Sequence, residues 1–282
     1  MTFHIDQTLP EHGSPPTGRI GARRMDHSTA ETALVNPFAS LPGAAAHSSY
    51  GRPAEGELLV DGENQAMARE VHAALHAVLN DPDFPCVGAK SVLHQGSYRF
   101  GLYPELGSPE STASLARDLY EFVVERPSIE GRFSSFIASF QEPKVRDEEE
   151  FERLLWKQLA ALRRLDREHH AWAAGVSSDP ASPDFSYSFA AQPFFVVGLS
   201  PATGRWARHF PWPTLVFNDH NQFQRLREEQ QFERMRDLIH GRDEKLHGEA
   251  NPMLGDFGAH SDARQYSGRA VDDDWRCPVE LN

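Results

Sequence analysis

Apolar residues recur at helical spacing in four segments of the chain. The longest segment opens with acidic residues, which suit a helix N-terminus, and then places Phe151, Leu154 and Leu155 on one face. A second segment carries Met67 and Val71 on its apolar face and stops at a proline. The sequence therefore predicts helices over 63–81, 111–125, 147–172 and 222–240.

Four other segments favour β-strands. Tyr98, Phe100 and Leu102 alternate with polar or small residues, the period of two that a half-buried strand shows. The other runs are aromatic or continuously apolar, which is typical of buried strands. Strands are predicted over 97–103, 133–140, 194–199 and 214–217. Because helices and strands interleave, we expect an α/β or α+β fold, a single domain with a central mixed sheet flanked by helices.

Both ends of the chain lack this periodicity. Residues 1–55 are rich in Pro, Gly, Ser, His and Ala, a composition that predicts a flexible N-terminal tail. Residues 56–282 are assigned to one domain. From residue 249 onwards Gly, Pro and Asp are dense, so a long loop-rich C-terminal segment is expected.

The charge balance narrows the classes of partner. The 282 residues include 41 acidic and 28 basic side chains, a formal charge of −13, which opposes binding to nucleic-acid phosphates or anionic lipid. No apolar run reaches the roughly 18 residues that a membrane-spanning helix needs. We therefore expect a cytoplasmic protein that binds a small molecule rather than nucleic acid or membrane. Whether it forms a homodimer stays open.

Motifs of several large enzyme classes are absent. The chain has no GxxxxGK[ST], no GxGxxG after a strand, no GxSxG, no HExxH and no CxxC. Its two cysteines, Cys86 and Cys277, lie far apart in the sequence, which argues against a disulfide framework and a four-thiolate metal site. Without a CxxCH motif, any haem would be held non-covalently.

Two side chains stand where a ligand could be held. Cys86 follows a proline at the exit from the first helix and could present a thiolate, although free cysteines more often pack as small core residues. His220 lies between a buried strand and a helix, where open α/β sheets bind ligands. It could equally be a capping or hydrogen-bonding residue, and the adjacent Asn218 and Asp219 fit helix caps.

The other histidines and the arginines are weaker candidates. His94 precedes a strand, and residues 169–170 end a helix, where cations suit the dipole. A zinc site from His240, His247 and His260 lacks the spacing of a finger. Basic residues in two loop-like segments suit either a ligand carboxylate or ordinary surface ion pairs. These basic residues are Arg205, Arg208, His209, Arg264 and Arg269.

Several segments together resemble the YqcI/YcgG family. They are FPCVGAKS (84–91), the segment 194–227, NPMLGDFG (251–258), ARQYSGR (263–269) and WRCP (275–278). The resemblance is closest to the branch of haem-dependent N-hydroxylases of guanidino amino acids, such as the arginine hydroxylase of D-cycloserine biosynthesis and the hydroxylase of guanitoxin biosynthesis. In that branch a histidine often stands two residues after the Gly of the GL motif. Here that residue is Ser200, which cannot be a haem ligand.

The resemblance implies a haem-dependent monooxygenase of specialised metabolism, of the D-cycloserine type. It implies non-covalent haem b, dioxygen or peroxide as oxidant, an unidentified electron donor, and hydroxylation of L-arginine, or a related guanidino acid, to Nω-hydroxy-L-arginine. Cys86 is the first candidate for the iron ligand, because a thiolate favours O–O cleavage, and His220 is the second. The remaining assignments are Arg208, His209, Tyr266 and Arg269 to the cofactor and Asp219 or Asp256 to the substrate guanidinium.

Two hypotheses from other classes stay open. A haem-binding carrier or sensor would bind the same cofactor without monooxygenase activity. A zinc-binding or structural α/β module would use its histidines and cysteines for ligation and packing alone.

Overall fold

A seven-stranded mixed sheet lies at the centre of the computed structural model, which describes residues 35–44, 50–54, 57–62, 64–248 and 260–281. The strands are β1 (Gly51–Ala54), β2 (Glu57–Val60), β3 (Tyr98–Glu105), β4 (Ser135–Glu142), β5 (Tyr187–Phe189), β6 (Gln192–Leu199) and β7 (Thr214–Asp219). Within these residues the order across the sheet is β2-β1-β3-β4-β7-β6-β5. β3 and β4 are parallel and the other neighbouring strands are antiparallel.

Helices cover both faces of the sheet. A parallel strand pair needs a crossover connection, and helix α3 (Pro109–Glu125) supplies it between β3 and β4. It packs with α4 (Glu148–Asp166) over one face. The helices of the other face are α1 (Gln65–Asn80), α2 (Val87–Gln95), α5 (His220–Glu228) and α6 (Phe232–His247). None of the described helices is long and apolar enough to cross a membrane.

Successive side chains of the central strands pack alternately into the helix layers on the two faces of the sheet. In β4, Phe136 and Ala138 belong to the core beneath α3 and α4, whereas Ile137 between them belongs to the opposite layer. The first core is rich in aromatic rings, and Trp156 of α4 is fully buried there. The predicted fold class, a mixed sheet flanked by helices, is confirmed.

The predicted elements are found, with differences at their ends. The helix predicted over 147–172 ends at Asp166. The buried Asp166 carboxylate contacts both Arg163 in the last turn and His170 beyond it, and so holds the residues after the helix close to its end. The helix predicted over 222–240 is two helices, α5 and α6, because the chain turns at Gln230 with φ 55°. The short elements β1, β2, β5 and α2 were not predicted.

Part of the expected tail is packed onto the domain. β1 pairs with β2 and β3, and Phe38 is fully buried against Tyr120 and Phe189. A boundary at residue 55 is therefore too late for residues 35–44 and 50–54. The other residues of the expected tail, 1–34 and 45–49, lie outside the described residues.

The described C-terminal segment is irregular apart from a 3₁₀ turn at Asp262–Gln265, as its composition predicted. A buried carboxylate on α4 ties it to the domain. Glu152 accepts hydrogen bonds from the Arg269 guanidinium at 2.6 and 3.0 Å and from Trp275 Nε1 at 3.1 Å. The segment is thus held against α4 by charge-assisted hydrogen bonds.

Two histidines of α1 share one buried hydroxyl. His72 Nε2 and His76 Nε2 lie 2.7 and 2.8 Å from the hydroxyl of Tyr98, which is fully buried. Burial, and secondarily the neighbouring His76, lowers the pKa of His72 to about 4 from 6.5. The folded protein therefore holds His72 neutral at pH values where the unfolded chain protonates it.

We predict that acid destabilises the wild type more than the His72→Gln variant, whose amide can still bond to Tyr98. As the pH falls from 6.5 to 4, the unfolded state alone gains the His72 proton, so unfolding is favoured. The wild type should lose on the order of 3 kcal/mol relative to the variant. Urea unfolding across this pH range measures the difference, and parallel pH profiles for the two proteins would contradict the prediction.

Candidate functional site

A cavity lies between the sheet and the helix layer that contains α1, α2, α5 and α6. Its volume is about 310 Å³, within the range of roughly 300–1,000 Å³ found for ligand pockets. Alternation along the strands exposes one face of β4, β6 and β7 to it, through residues such as Ile137, Val197 and Val216. Leu79 of α1 and Phe232 of α6 add to the apolar wall.

His220 places an imidazole in this wall. It is the first residue of α5, directly after β7, and 7% exposed. Its Nδ1 lies 3.0 Å from Ser186 Oγ, and the Ser186 hydroxyl donates its one proton to the carbonyl of Phe194. When the Ser186 proton points to that carbonyl, which also accepts the Tyr266 hydroxyl, Nδ1 carries the ring proton and donates to Ser186. In that tautomer the Nε2 lone pair is available to a ligand.

Electrostatics favours the neutral form of this imidazole. Burial, followed by the charge of Arg227, lowers the pKa of His220, and Asp219 opposes the shift. A neutral ring with a free Nε2 is the form that binds metal.

Cys86 also lines the cavity, but as a thiol. It is the N-cap of α2, a helix that was not predicted, and its Sγ accepts the Ala89 N–H at 3.4 Å. Burial raises the pKa of the Cys86 thiol, and the opposing backbone N–H groups and Arg208 do not reverse the shift. At neutral pH this sulfur is protonated, so it becomes a ligand only by losing a proton to the incoming metal.

Arg208 and His209 reach the same cavity. Arg208 donates to the backbone carbonyls of Gly198 at 3.1 Å and Gln265 at 3.2 Å, so it links β6 to the C-terminal 3₁₀ turn. Burial lowers its pKa to about 10, and the guanidinium stays charged at neutral pH. His209 is exposed at the lining. The cavity therefore brings together four residues that were predicted to hold the cofactor: Cys86, Arg208, His209 and His220.

The structure corrects the assignment of Asp219 to a substrate guanidinium. Its fully buried carboxylate faces away from the cavity and forms an ion pair with Arg126. It also accepts hydrogen bonds from Gln192 Nε2 at 2.9 Å and from the Asn221 N–H at 3.0 Å, as the cap of α5. This carboxylate already holds a guanidinium of the protein itself.

The structure also corrects the assignments of Arg269 and Tyr266 to a cofactor. Both lie on the side of the sheet that carries α4, where the Arg269 guanidinium is bound to Glu152. Tyr266 is fully buried, stacks on Trp156 and donates its hydroxyl to the Phe194 carbonyl at 3.1 Å. These residues anchor the C-terminal segment.

The other predicted positions are dispersed. Asp256 lies outside the described residues. His240 lines the cavity, whereas His260 is exposed. Among the residues with described placement, no group of three or more His, Cys, Asp or Glu side chains is arranged to hold a metal ion. Cys86 and Cys277 are both free thiols.

Sequence reasoning missed the two carboxylates that line the cavity. Asp243 of α6 is bound to Arg205, with Nη1 and Oδ2 3.0 Å apart. Asp262 belongs to the C-terminal 3₁₀ turn, and burial raises its pKa to about 6. The sequence feature that could have indicated Asp262 is its three-residue spacing from Gln265. In a 3₁₀ turn, residues three apart lie on the same side.

Comparison with known proteins shows the family to which the chain belongs. A model of the YqcI/YcgG family matches residues 75–280, a span that includes every cavity-lining residue named above. The chain belongs to the YqcI/YcgG family. It is also similar to the uncharacterized protein YqcI of Bacillus subtilis (strain 168), with 26% identity over 157 residues. That match covers 54% of this chain and 60% of the relative's length. No solved structure matches the chain.

We predict that Arg126→Met destabilises the protein by about 3–5 kcal/mol, because it leaves the buried Asp219 carboxylate without its cation. The double variant Arg126→Met/Asp219→Asn removes that uncompensated charge and should recover part of the loss. Chemical denaturation of the three proteins measures the effect. An unchanged free energy of unfolding in Arg126→Met would show that Asp219 is not held in this way.

Proposed function

We propose that this YqcI/YcgG protein binds haem b in the cavity and hydroxylates a terminal guanidino nitrogen of L-arginine. The observation that carries the proposal is His220, an imidazole in the apolar cavity wall whose Nδ1 lies 3.0 Å from Ser186 Oγ. With Nδ1 as the donor in this contact, Nε2 is the nitrogen that would bind a metal. The resemblance to haem-dependent N-hydroxylases supports the choice of cofactor and substrate.

The residues of the cavity suit haem in three respects. Porphyrin faces need apolar walls, and the wall holds side chains such as Phe84, Ile137 and Met235. Propionates need cations and hydrogen-bond donors, and the lining includes Arg205, Arg208 and Arg236 as well as His209. The iron needs an axial ligand, which His220 offers. The donor set and the lining are thus chemically suited to this cofactor.

We propose His220 as the iron ligand, ahead of Cys86. The imidazole needs no deprotonation to bind iron, and its second nitrogen already has the hydrogen bond that orients metal-bound histidines. The Cys86 thiol is protonated and accepts a backbone N–H. This reverses the order that thiolate chemistry alone suggested.

Haem, when bound, supplies the activation of the oxidant, and the chain supplies position and surroundings. The reaction replaces one guanidino N–H bond by N–O–H. With peroxide the second product is one water. With dioxygen the reaction also consumes two electrons and two protons from a donor and releases one water. Apolar side chains surround the site, and the contact with Ser186 orients the His220 ring.

We predict that haem-loaded protein converts L-arginine, with peroxide or with dioxygen and a reductant, to a product heavier by one oxygen atom. Mass spectrometry with ¹⁸O-labelled oxidant measures the product and the origin of the oxygen. Protein without haem is the control. Tight haem binding without product would contradict the hydroxylase proposal and favour a carrier or sensor.

We predict that His220→Ala loses most of the haem bound during expression, whereas Cys86→Ala retains it. The wild-type ferrous–CO complex should show an imidazole-type Soret band rather than the red-shifted band of a thiolate ligand. Ser186→Ala should reduce the haem content to an intermediate level, because it removes the hydrogen bond to Nδ1 and leaves the imidazole ring in place. A thiolate-type band that disappears in Cys86→Ala would transfer the ligand role to Cys86.

A further inference from the structure

One part of the cavity wall presents two side chains that accept hydrogen bonds. Asp262 and Gln265 stand three residues apart on the C-terminal 3₁₀ turn, and both line the cavity. Gln265 Nε2 donates to Asp262 Oδ1 at 3.0 Å, so the carboxylate and the amide lie side by side. That bond directs the amide nitrogen of Gln265 to the carboxylate and leaves its oxygen, Oε1, for another partner.

The amide oxygen has no such partner within the described part of the chain. Gln265 Oε1 is buried there and accepts no hydrogen bond. A buried acceptor without a donor is costly in a finished core, and such groups are uncommon in native structures. An acceptor of this kind in a cavity wall indicates a site whose donor comes from a ligand.

The carboxylate beside it has no ion-pair partner in the described part of the chain. Asp262 forms no salt bridge with a described residue, in contrast to Asp243 of the same cavity, which is bound to Arg205. Arg227 of α5 is the cation that acts on Asp262 through space. Burial raises the pKa of Asp262 to about 6, and the charge of Arg227 and the hydrogen bond from Gln265 offset only part of this shift.

We propose that Asp262 and Gln265 form the subsite that holds the guanidinium group of the substrate, a refinement that rests on the proposed function. A carboxylate oxygen beside an amide oxygen matches a planar cation with several N–H donors in a fixed fork. An ammonium group is a point charge without that fork. A neutral urea group presents a carbonyl oxygen to the two acceptors and lacks the positive charge.

The proposal therefore predicts a ranking of three amino acids. L-arginine should bind more tightly than L-lysine, which keeps the charge and loses the fork. L-citrulline has nearly the shape of arginine but is neutral and replaces a donor by an acceptor. It should bind most weakly, because a site built to pair with N–H groups rejects a ligand that leaves buried acceptors unpaired.

The test measures binding of radiolabelled L-arginine to the haem-loaded protein by equilibrium dialysis, with no turnover involved. We expect Asp262→Asn to weaken arginine binding about 30-fold or more, since it removes one partner of a buried charge pair. Gln265→Leu should weaken it by a smaller factor. Asp243→Asn is the matched control, a second carboxylate in the same cavity, and should keep the wild-type affinity.

The outcomes separate the subsite from the function that it refines. If the wild type binds haem and arginine, and Asp262→Asn and Gln265→Leu bind arginine equally well, the subsite is wrong and the proposed function stands. If the wild type binds citrulline as tightly as arginine, the subsite is also wrong. If the wild type binds no arginine, both fail. Haem content and circular dichroism check each variant, and Gln265→Leu decides if Asp262→Asn does not fold.

Discussion

Successive side chains at the end of β7 and the start of α5 point alternately into the cavity and into the packed layer on the other side of the sheet. Asn218 and His220 face the cavity, while Asp219 between them faces the opposite layer and binds Arg126. The ion pair fixes the end of β7, and the cap that Asp219 provides fixes the first turn of α5. Because His220 is the next residue, its position depends on this buried pair, although Arg126 and Asp219 never reach the cavity.

The place of each site residue in the fold explains whether the sequence could predict it. Cys86, Arg208, His209 and His220 stand at the ends of elements, where a chemical argument from neighbouring residues already indicated a site, and all four reach the cavity. The fold class followed from long periodic segments, whose period depends only on local residues. A strand of four residues such as β1 has too little pattern to be recognised, since its hydrogen bonds are to distant strands.

Residues in the irregular C-terminal segment were predicted least well. Tyr266 and Arg269 belong to the same short segment as Asp262 and Gln265, yet the first pair points into the α4 layer and the second into the cavity. No period indicates direction in such a segment. Its path is set by long-range contacts, such as those of Glu152 on α4, that only the folded chain reveals.

The cavity combines groups that would be unfavourable in a closed core. The imidazole of His220, a buried amide oxygen without a donor and a carboxylate without an ion pair, judged among the described residues, all line an apolar space. Their burial lowers stability unless a ligand supplies the missing metal and donors. In our account, haem and a guanidino acid are these ligands, bound at His220 and at the Asp262–Gln265 pair.

The most direct test of this account is the absorption spectrum of the haem-loaded wild-type protein, recorded during titration with L-arginine. We predict a strong Soret band that shifts saturably with arginine, because cofactor and substrate share one cavity. A protein that shows no Soret band after reconstitution with haem would contradict the account at its centre.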